Sequence, residues 1–483
     1  MIPLRQEKQS GLLLWGILLT FIALNAVMMA LEVYYVPLLP VLLFFVALAL
    51  VSMERFLLVV VFFVPLSIPL SRLVTGLSIN MSLPTEPLLA GLLLLFVIKY
   101  LRGERLDLKV LRHPVTLAVY FHLAWMFVTS LTSTDLLVSF KVLVSRLWFV
   151  TAFYFLAARM FQKERTMYRY AWVFLGAFAV VIVYTLVNHA GYGFTSQVHA
   201  HSVSRPFYSD HTSYGASLGL VLPVLLALFA FVPKENRNLR FLMVLLLLLF
   251  VFATAVSYTR ATWLSILASA GVWVLIRLRV RFEYLLVGLA AVMILFFSVR
   301  TDLMIRLEQN RVESSGEFTE HIQSMSNITT DQSNLERINR WSCAWRMFLD
   351  KPLFGFGPGT YQFEYGRFQR SYEKTRISTD FGTMGTAHSE YLLAASESGA
   401  LGLLAILLVM GTTVYTGLRV HYTAKRHAVR IWSVAVLVGL VSYYLHGVMN
   451  NFLDTDKISV LFWGFSAMLV AMDVYHRGGE EGA

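Results

Sequence analysis

Apolar runs of membrane-spanning length recur along most of this 483-residue chain. A helix needs about 17–25 mainly apolar residues to cross roughly 30 Å of hydrocarbon. Charged residues make up only 14% of the chain, too few to cover the surface of a water-soluble globule of this size. The sequence therefore predicts an all-α polytopic membrane protein. About fourteen helices (between 12 and 14) are predicted, at 11–31, 36–52, 55–70, 86–101, 114–131, 138–160, 168–188, 212–232, 239–257, 261–277, 282–299, 398–419, 431–449 and 457–475.

The positions of Lys and Arg predict the orientation of these helices. If the helices alternate in direction, most basic residues fall in loops on the side of the N-terminus. The short loops on the other side contain only Arg72, Arg205, Arg260 and Lys457. Because basic loops stay in the cytoplasm, both termini are predicted to be cytoplasmic. The net charge of +11 is accounted for by this distribution, and no nucleic-acid partner is predicted.

Three regions follow from this topology. Residues 1–299 contain about eleven transmembrane helices, and residues 396–483 contain about three more followed by the cytoplasmic C-terminus. Residues 300–395 are predicted to form one large, nearly neutral loop with short helices on the side of the membrane opposite the termini. A loop of this length between spans usually carries function. Within it, Ser333 and Asn334 can cap a helix whose apolar face is predicted to pack on the membrane portion; that face comprises Leu335, Ile338, Trp341, Trp345 and Phe348.

Arg337 and Arg340 lie beside this apolar face, next to Trp341. An arginine fork binds phosphate oxygens through two parallel hydrogen bonds and stays charged at any relevant pH. The alternative is an amphipathic surface helix whose arginines pair with Glu336 or extend to lipid headgroups. The glycine-rich stretch 355–359 that follows is predicted to be a structural turn rather than a phosphate loop, because no strand precedes it and it lacks the lysine of such loops.

His388 stands just before the apolar residues that begin the next span. A neutral imidazole at this position can accept a proton from a sugar hydroxyl. The alternative is an interfacial histidine whose hydrogen bonds are satisfied within the protein. Glu390 and Glu397 lie within two helical turns and could either orient His388 or cap the helix.

Further basic residues occur where a phosphate-bearing lipid would enter. Arg260 sits in a very short external turn, and Arg146 and Lys141 lie in the outer half of a span, where ionisable residues are expensive. Together they suit a polyprenyl pyrophosphate. The alternative for Arg146 is an internal ion pair, with Asp135 as the candidate partner.

The loop 189–211 permits two interpretations. One is a metal site made of its imidazole and carboxylate side chains, but their spacing matches no familiar motif, and no metal site is predicted. Arg205 of the same loop is the better candidate for a contact to a glycan or a phosphate. The residues considered for the metal site are His199, His201, Asp210 and His211.

Taken in order, three elements resemble the signature region of the O-antigen ligase and polymerase superfamily. They are Arg337-x3-Trp341, then Pro352-Leu-Phe-Gly-x-Gly-Pro-Gly, then His388-x3-Leu392 followed by Glu397-x-Gly399-x2-Gly402. Many members of that superfamily share a polytopic helical fold with one large periplasmic loop. One departure is visible: an asparagine commonly follows the histidine, and this chain has Ser389.

The resemblance implies a metal-independent, cofactor-free glycosyltransferase of the GT-C type in the bacterial inner membrane. It would move a glycan from undecaprenyl pyrophosphate to an acceptor hydroxyl. The resemblance places the catalytic histidine at His388, the loop arginine at Arg337 and the short-turn arginine at Arg260. Arg340 and Arg146 are further candidates for binding the pyrophosphate, whereas Glu390, Glu397, Arg205 and Trp341 are candidates for supporting or acceptor-side roles.

The chemistry of this reaction fits the residues present. Breaking the anomeric C–O bond leaves a charged pyrophosphate that arginines stabilise. A base on the opposite face then deprotonates the attacking hydroxyl, which predicts inversion at the anomeric carbon. Three acceptors remain open: lipid A-core for a ligase, a second lipid-linked repeat for a polymerase, and a protein hydroxyl for a glycosylase. A function of another class, transport of a lipid-linked glycan, would not need a general base.

Overall fold

The structure is a computed structural model that describes residues 3–31, 39–73, 81–280, 332–375, 378–379 and 385–478. It is almost entirely helical, as predicted. The predicted span at 282–299 and the loop residues 300–331 lie outside the described residues. The chain divides into two compact units, Met1–Phe56 and Leu57–Ala483. The first contains α1 (Pro3–Ala30), α2 (Leu39–Val51) and the beginning of α3 (Met53–Leu66).

The second unit contains the remaining elements. Strands β1 (Ile68–Pro69) and β2 (Ser82–Leu83) form a minimal antiparallel pair. The helices are α4 (Leu70–Leu73), α5 (Thr85–Leu101), α6 (Leu108–Leu111), α7 (Pro114–Leu131), α8 (Leu136–Val150), α9 (Ala157–Met160), α10 (Glu164–Ala190), α11 (Gln197–Ala200), α12 (His211–Ala230), α13 (Arg237–Val256), α14 (Arg260–Arg277), α15 (Gln332–Asp350), α16 (Tyr361–Glu364), α17 (Glu390–Thr423), α18 (His427–His446) and α19 (Asp456–Ala471). Thr151–Leu156 and Met472–His476 are π-helical.

Within the described residues, eight helices are long and apolar enough to cross a membrane. They are Pro114–Leu131, Leu136–Met160, Glu164–Ala190, His211–Ala230, Arg237–Val256, Glu390–Thr423, His427–His446 and Asp456–His476. Each overlaps one of the predicted apolar runs. Helices also occur at the other predicted runs in the described part of the chain, but they are shorter or less apolar. The structure is therefore that of an all-α membrane protein, and the total of about fourteen spans stays a prediction.

Small side chains allow α12, α14 and α18 to pack closely. A Cβ added to Gly439 of α18 would lie 2.3 Å from the Leu220 carbonyl oxygen of α12. Likewise, a Cβ on Gly215 of α12 would lie 2.4 Å from Thr262 Oγ1 of α14. Close contact through small residues is the usual way that helices associate in lipid, where apolar burial drives association weakly. This packing brings the N-termini of α12 and α14 and the C-terminus of α18 to one end of the bundle.

Helix α17 joins the bundle to the large loop. It packs against α7 and α18 along its length and against α15 of the loop near its start. Gly399 interrupts its helical geometry with φ +68°. The interruption admits the loop backbone, since a Cβ at Gly399 would lie only 2.1 Å from the Leu353 carbonyl oxygen. The first turns of α17, which follow His388, are thus kinked relative to the rest of the helix, and the loop backbone packs against this kink.

Candidate functional site

His388 is held by its backbone, which leaves its imidazole available. The residue has φ +49° and precedes the N-cap of α17, where the Ser389 hydroxyl accepts a hydrogen bond from the Leu392 N–H. Trp341 of α15 donates its indole N–H to the His388 carbonyl oxygen at 3.1 Å. The imidazole itself has no hydrogen-bond partner among the described residues. Trp341 therefore positions His388 through its backbone carbonyl group and not through its imidazole. Ser389 caps the helix, as an asparagine at this position would also do.

Two arginines of α15 set the electrostatics of His388. Burial lowers the pKa of His388 to about 4, and the positive charges of Arg337 and Arg340 contribute in the same direction. The carboxylates of Asp210 and Glu336 act in the opposite direction but more weakly. His388 is consequently neutral at physiological pH, which is the form that can accept a proton.

Two further histidines lie in the electrostatic neighbourhood of Arg337. His211 begins α12, and His446 ends α18; the charges of Arg337 and Asp210 act on both. The His211 ring stacks on His201 with centroids 4.0 Å apart. Nδ1 of His211 and Nδ1 of His446 are buried and make no hydrogen bond within the described part of the chain. The end of the bundle thus holds a group of imidazoles around one arginine.

Asp210 caps α12 and remains ionised beside these histidines. Its carboxylate accepts hydrogen bonds from the Thr212 and Ser213 backbone N–H groups at 2.8 and 3.0 Å. Burial raises the pKa of Asp210, but hydrogen bonds from Thr212 and Ser213 lower it by more, so the value lies below that of an ordinary aspartate. The carboxylate is engaged in the helix cap, which is the usual role of aspartate at this position.

Arg260 begins α14 at the same end of the bundle. The turn before it contacts the start of α12, since the Thr259 hydroxyl donates to the His211 carbonyl oxygen at 2.9 Å. The backbone of Arg260 is therefore near the imidazole group described above. That Arg260 and Arg337 bind one pyrophosphate stays a prediction.

Arg340 occupies a different environment from Arg337. It is only 3% exposed, its Nε donates to Glu336 at 2.7 Å, and one Nη donates to Thr379 at 2.7 Å. Its guanidinium also lies 4.0 Å from the centre of the Tyr365 ring. These contacts tie α15 to the rest of the loop, so the alternative of pairing with Glu336 describes Arg340.

The buried face of α15 differs from the predicted one. Trp345 of the predicted face is 51% exposed, whereas Cys343 and Met347 are fully buried. The buried residues Glu336, Asn339, Arg340, Cys343, Ala344 and Met347 lie on an adjacent side of the helix. The prediction was wrong because polar residues of this face are buried through mutual pairing, which an apolar periodicity does not detect.

The glycine-rich stretch is a structural turn, as predicted. Its backbone is held from two sides: the Gly357 N–H donates to the Glu397 carbonyl oxygen at 2.8 Å, and the Phe356 carbonyl oxygen accepts from the Thr134 N–H at 2.9 Å. The Glu397 carboxylate accepts the N–H groups of Gly359 and Tyr361 at 2.8 and 3.0 Å. The carboxylate of Glu397 is thus directed at the turn, and the turn joins the loop to α17.

Glu390 joins α17 to the connection between α18 and α19. Its carboxylate accepts the Tyr443 hydroxyl at 2.5 Å and the Phe452 and Leu453 N–H groups at 2.7 and 2.8 Å. The Glu390 N–H donates to the Gly447 carbonyl oxygen at 2.8 Å. These four bonds fix the start of α17 immediately after His388.

Arg146 forms an internal ion pair, but with a different partner from the one considered. One Nη lies 2.5 Å from Asp454 Oδ1, whereas Asp135 caps α8 through the Val138 N–H. Arg146 lines a cavity of about 50 Å³ together with Glu390 and Glu397. The candidate partner Asp135 was therefore wrong. Three carboxylates at this cavity make it less suited to an anion than the surroundings of Arg337.

Arg205 lies on the ordered loop between α10 and α12. Its Nε donates to the Ser209 carbonyl oxygen at 3.2 Å. It lines a surface pocket with Asn188, Tyr192 and Ser202. His199 of the same loop stacks on Tyr192 with ring centroids 4.1 Å apart. No group of three His, Cys, Asp or Glu side chains suited to a metal ion occurs among the described residues.

These features define an all-α membrane protein in which a histidine of the loop and an arginine of α15 lie in the electrostatic neighbourhood of the histidines at one end of the helix bundle. Residues 243–407 match the family model described as O-antigen ligase. This match supports assigning the chain to the O-antigen ligase and polymerase superfamily, which the ordered motifs predicted. The match supports a membrane protein of the glycan-transferring ligase or polymerase kind, for which the family implies a lipid-linked glycan and an acceptor as partners. No curated protein matches the chain.

Sequence reasoning did not single out His446 as part of this site. The only available signal was an ionisable residue near the end of the predicted span 431–449. Its relation to Arg337 depends on how α18 packs against α12, which a single sequence does not specify.

Proposed function

We propose that the chain is a metal-independent GT-C-type glycosyltransferase with about fourteen spans. It transfers a glycan from undecaprenyl pyrophosphate to an acceptor hydroxyl. The observation that carries the proposal is the neutral, unengaged imidazole of His388 beside Arg337, at one end of the helix bundle. A transporter of lipid-linked glycans would not need a base held in this way.

The reaction needs one proton acceptor and a cationic site. His388 accepts the proton of the acceptor hydroxyl as its oxygen attacks the anomeric carbon. The anomeric C–O bond to the pyrophosphate breaks on the opposite face, so the configuration inverts. Undecaprenyl pyrophosphate leaves with the bonding electron pair, and Arg337 and Arg260 stabilise the charge that develops on it. The donor supplies the free energy, and no nucleotide or divalent metal takes part.

The preferred acceptor is lipid A-core, which makes the chain a ligase. Polymerisation of lipid-linked repeats and O-glycosylation of a protein are the alternatives, distinguished by the acceptor alone. We place the protein in the bacterial inner membrane with both termini in the cytoplasm and the site on the periplasmic side. This orientation follows from the distribution of basic residues along the sequence.

A reconstituted assay tests the proposal. Purified protein, lipid-linked glycan and lipid A-core are combined in excess EDTA, and product is separated by gel and mass spectrometry. Wild-type protein should form product under these conditions. His388→Ala should lower the rate by about 10²-fold or more, because it removes the general base. The control is His427→Ala, which replaces an exposed histidine at the opposite end of α18.

The assay can contradict each part of the proposal separately. Full activity of His388→Ala would exclude His388 as the base. Loss of activity in EDTA that Mg²⁺ or Mn²⁺ restores would establish metal dependence. A ladder of lengthening lipid-linked chains without acceptor would identify a polymerase.

A further inference from the structure

His446 ends α18 and is more deeply buried than His388. It is 1% exposed, and its Nε2 lies 3.1 Å from the side-chain nitrogen of Asn450, which is 2% exposed. With that amide nitrogen as the donor, Nε2 is the acceptor. The neutral ring therefore carries its proton on Nδ1.

The Nδ1 atom of His446 is buried and has no hydrogen-bond partner in the described part of the chain. An unpartnered buried N–H carries a free-energy penalty, and native proteins rarely keep one without a reason. A ligand oxygen that approaches Nδ1 would remove this penalty. Nδ1–H of His446 is thus a hydrogen-bond donor that could bind an acceptor oxygen of a ligand.

His446 is adjacent to the segment that carries His388. The Gly447 carbonyl oxygen accepts the Glu390 N–H at 2.8 Å, and the Tyr444 carbonyl oxygen accepts the Tyr391 hydroxyl at 2.7 Å. The charge of Arg337 acts on both histidines. Asp210, the other charged group that acts on both, is occupied with the cap of α12.

We propose that His446 is a further binding residue of the site and that its Nδ1–H donates to an oxygen of the donor's pyrophosphate beside Arg337. This inference rests on the proposed function. The bond would strengthen as the anomeric C–O bond breaks and charge develops on the pyrophosphate. Asn450 is a positioning residue, because it fixes the tautomer that places the proton on Nδ1.

Two substitutions separate the ring nitrogens of His446. In His446→Asn the side-chain amide lies where Nδ1 was, and it can keep the donor. In His446→Gln the amide reaches the former position of Nε2, so the contact to Asn450 stays and the Nδ1 donor is lost. His446→Gln should lower kcat on the order of 10²-fold, the effect of losing one donor to a developing anion. His446→Asn should retain most of the activity.

His476→Gln is the matched control. His476 is also buried, but its Nε2 is hydrogen-bonded to the Phe161 carbonyl oxygen at 2.8 Å. It belongs to the last span, at the end away from the start of α19. This variant should transfer glycan at the wild-type rate and unfold at the wild-type temperature.

A binding measurement accompanies the assay. Undecaprenyl pyrophosphate without a glycan is titrated into each purified variant, and the shift of the unfolding temperature gives the affinity. His446→Gln should bind about 10-fold more weakly than wild-type protein. His446→Asn should bind nearly as tightly as wild-type protein.

The outcomes distinguish this inference from the proposed function. If wild-type protein transfers glycan and His446→Gln matches it in rate and affinity, the inference is wrong and the function stands. If both variants lose activity and unfold at a lower temperature without ligand, His446 is structural and the inference is again wrong. If wild-type protein neither transfers glycan nor binds the lipid, the proposed function fails, and the inference fails with it.

Discussion

His388 has a low pKa for a general base because burial, and after it the charges of two arginines, disfavour the protonated imidazole. A pyrophosphate bound beside Arg337 would bring negative charge close to the imidazole and offset the arginines. Negative charge favours the protonated form, so the pKa of His388 should rise when the donor binds. The base would therefore become stronger in the complex that carries out the transfer.

The pH dependence of transfer tests this coupling. The acidic limb of kcat/KM reports the free enzyme and should have a pKa near 4, whereas the limb of kcat reports the complex and should lie higher. Activity should fall on both limbs as the pH drops, because protonated His388 cannot accept a proton. Steady-state rates measured between pH 3 and 8 with varied donor give both profiles. Coincident limbs would contradict the coupling.

The lowered pKa of His388 also makes the stability of the folded protein depend on pH. The folded-state pKa of His388, about 4, lies below the ordinary value of 6.5. Between these values the unfolded chain binds more protons than the folded protein. The titration of His388 therefore lowers the free energy of unfolding as the pH falls from 6.5 to about 4. Above pH 6.5 it has little effect, because His388 is then mostly neutral in both states.

The junction between α17 and the large loop depends on the backbone conformation of Gly399. Gly399 adopts φ +68°, which L side chains rarely adopt, and Leu353 of the loop packs against it. The Ala400 N–H donates to the Pro352 carbonyl oxygen at 2.8 Å across the same junction. A side chain at position 399 would separate the loop from α17.

Gly399→Ala should therefore destabilise the protein by about 2 kcal/mol or more, through strain at positive φ and collision with Leu353. Gly411→Ala in the same helix is the control, because a Cβ there meets nothing within 4 Å. That change should be neutral or stabilise by up to about 1 kcal/mol. Unfolding temperatures and transfer rates of the purified variants provide the comparison. Equal stability of the two variants would show that the junction contributes little.

The elements also show what sequence patterns can predict in this chain. The predicted apolar runs coincide with helices wherever the structure describes them, because hydropathy depends on local composition. The buried face of α15 and the ion pair of Arg146 were predicted incorrectly. Both depend on distant partners, Thr379 for Arg340 and Asp454 for Arg146, and such contacts leave no local periodicity.

The ordered motifs indicated the resemblance to a family, but they did not predict how the site is arranged in three dimensions. His388, Arg337 and Trp341 were predicted as site residues from their order and spacing in the sequence, and the structure places Trp341 against the backbone of His388. The proposed role of His446 depends on how α18 packs against α12 and α17 in three dimensions.

The single cysteine provides a test of orientation. Cys343 is fully buried, so a membrane-impermeant maleimide should label wild-type protein weakly. Tyr372→Cys, at an exposed loop position, should be labelled in intact spheroplasts. Leu278→Cys, exposed after the last turn of α14, should be labelled only after permeabilisation. The reverse pattern would contradict the orientation predicted from basic residues.

The glycine turn at 355–359 also has a consequence for how the chain can diverge. The backbone there is hydrogen-bonded to the α7–α8 connection and to α17, so an inserted residue would displace Glu397 from its partners. Residues 370–372 are exposed on the same loop. Insertions and deletions among related chains should therefore collect around 370–372 and avoid the turn. A change of acceptor could then evolve through loop length while the position of the base is preserved.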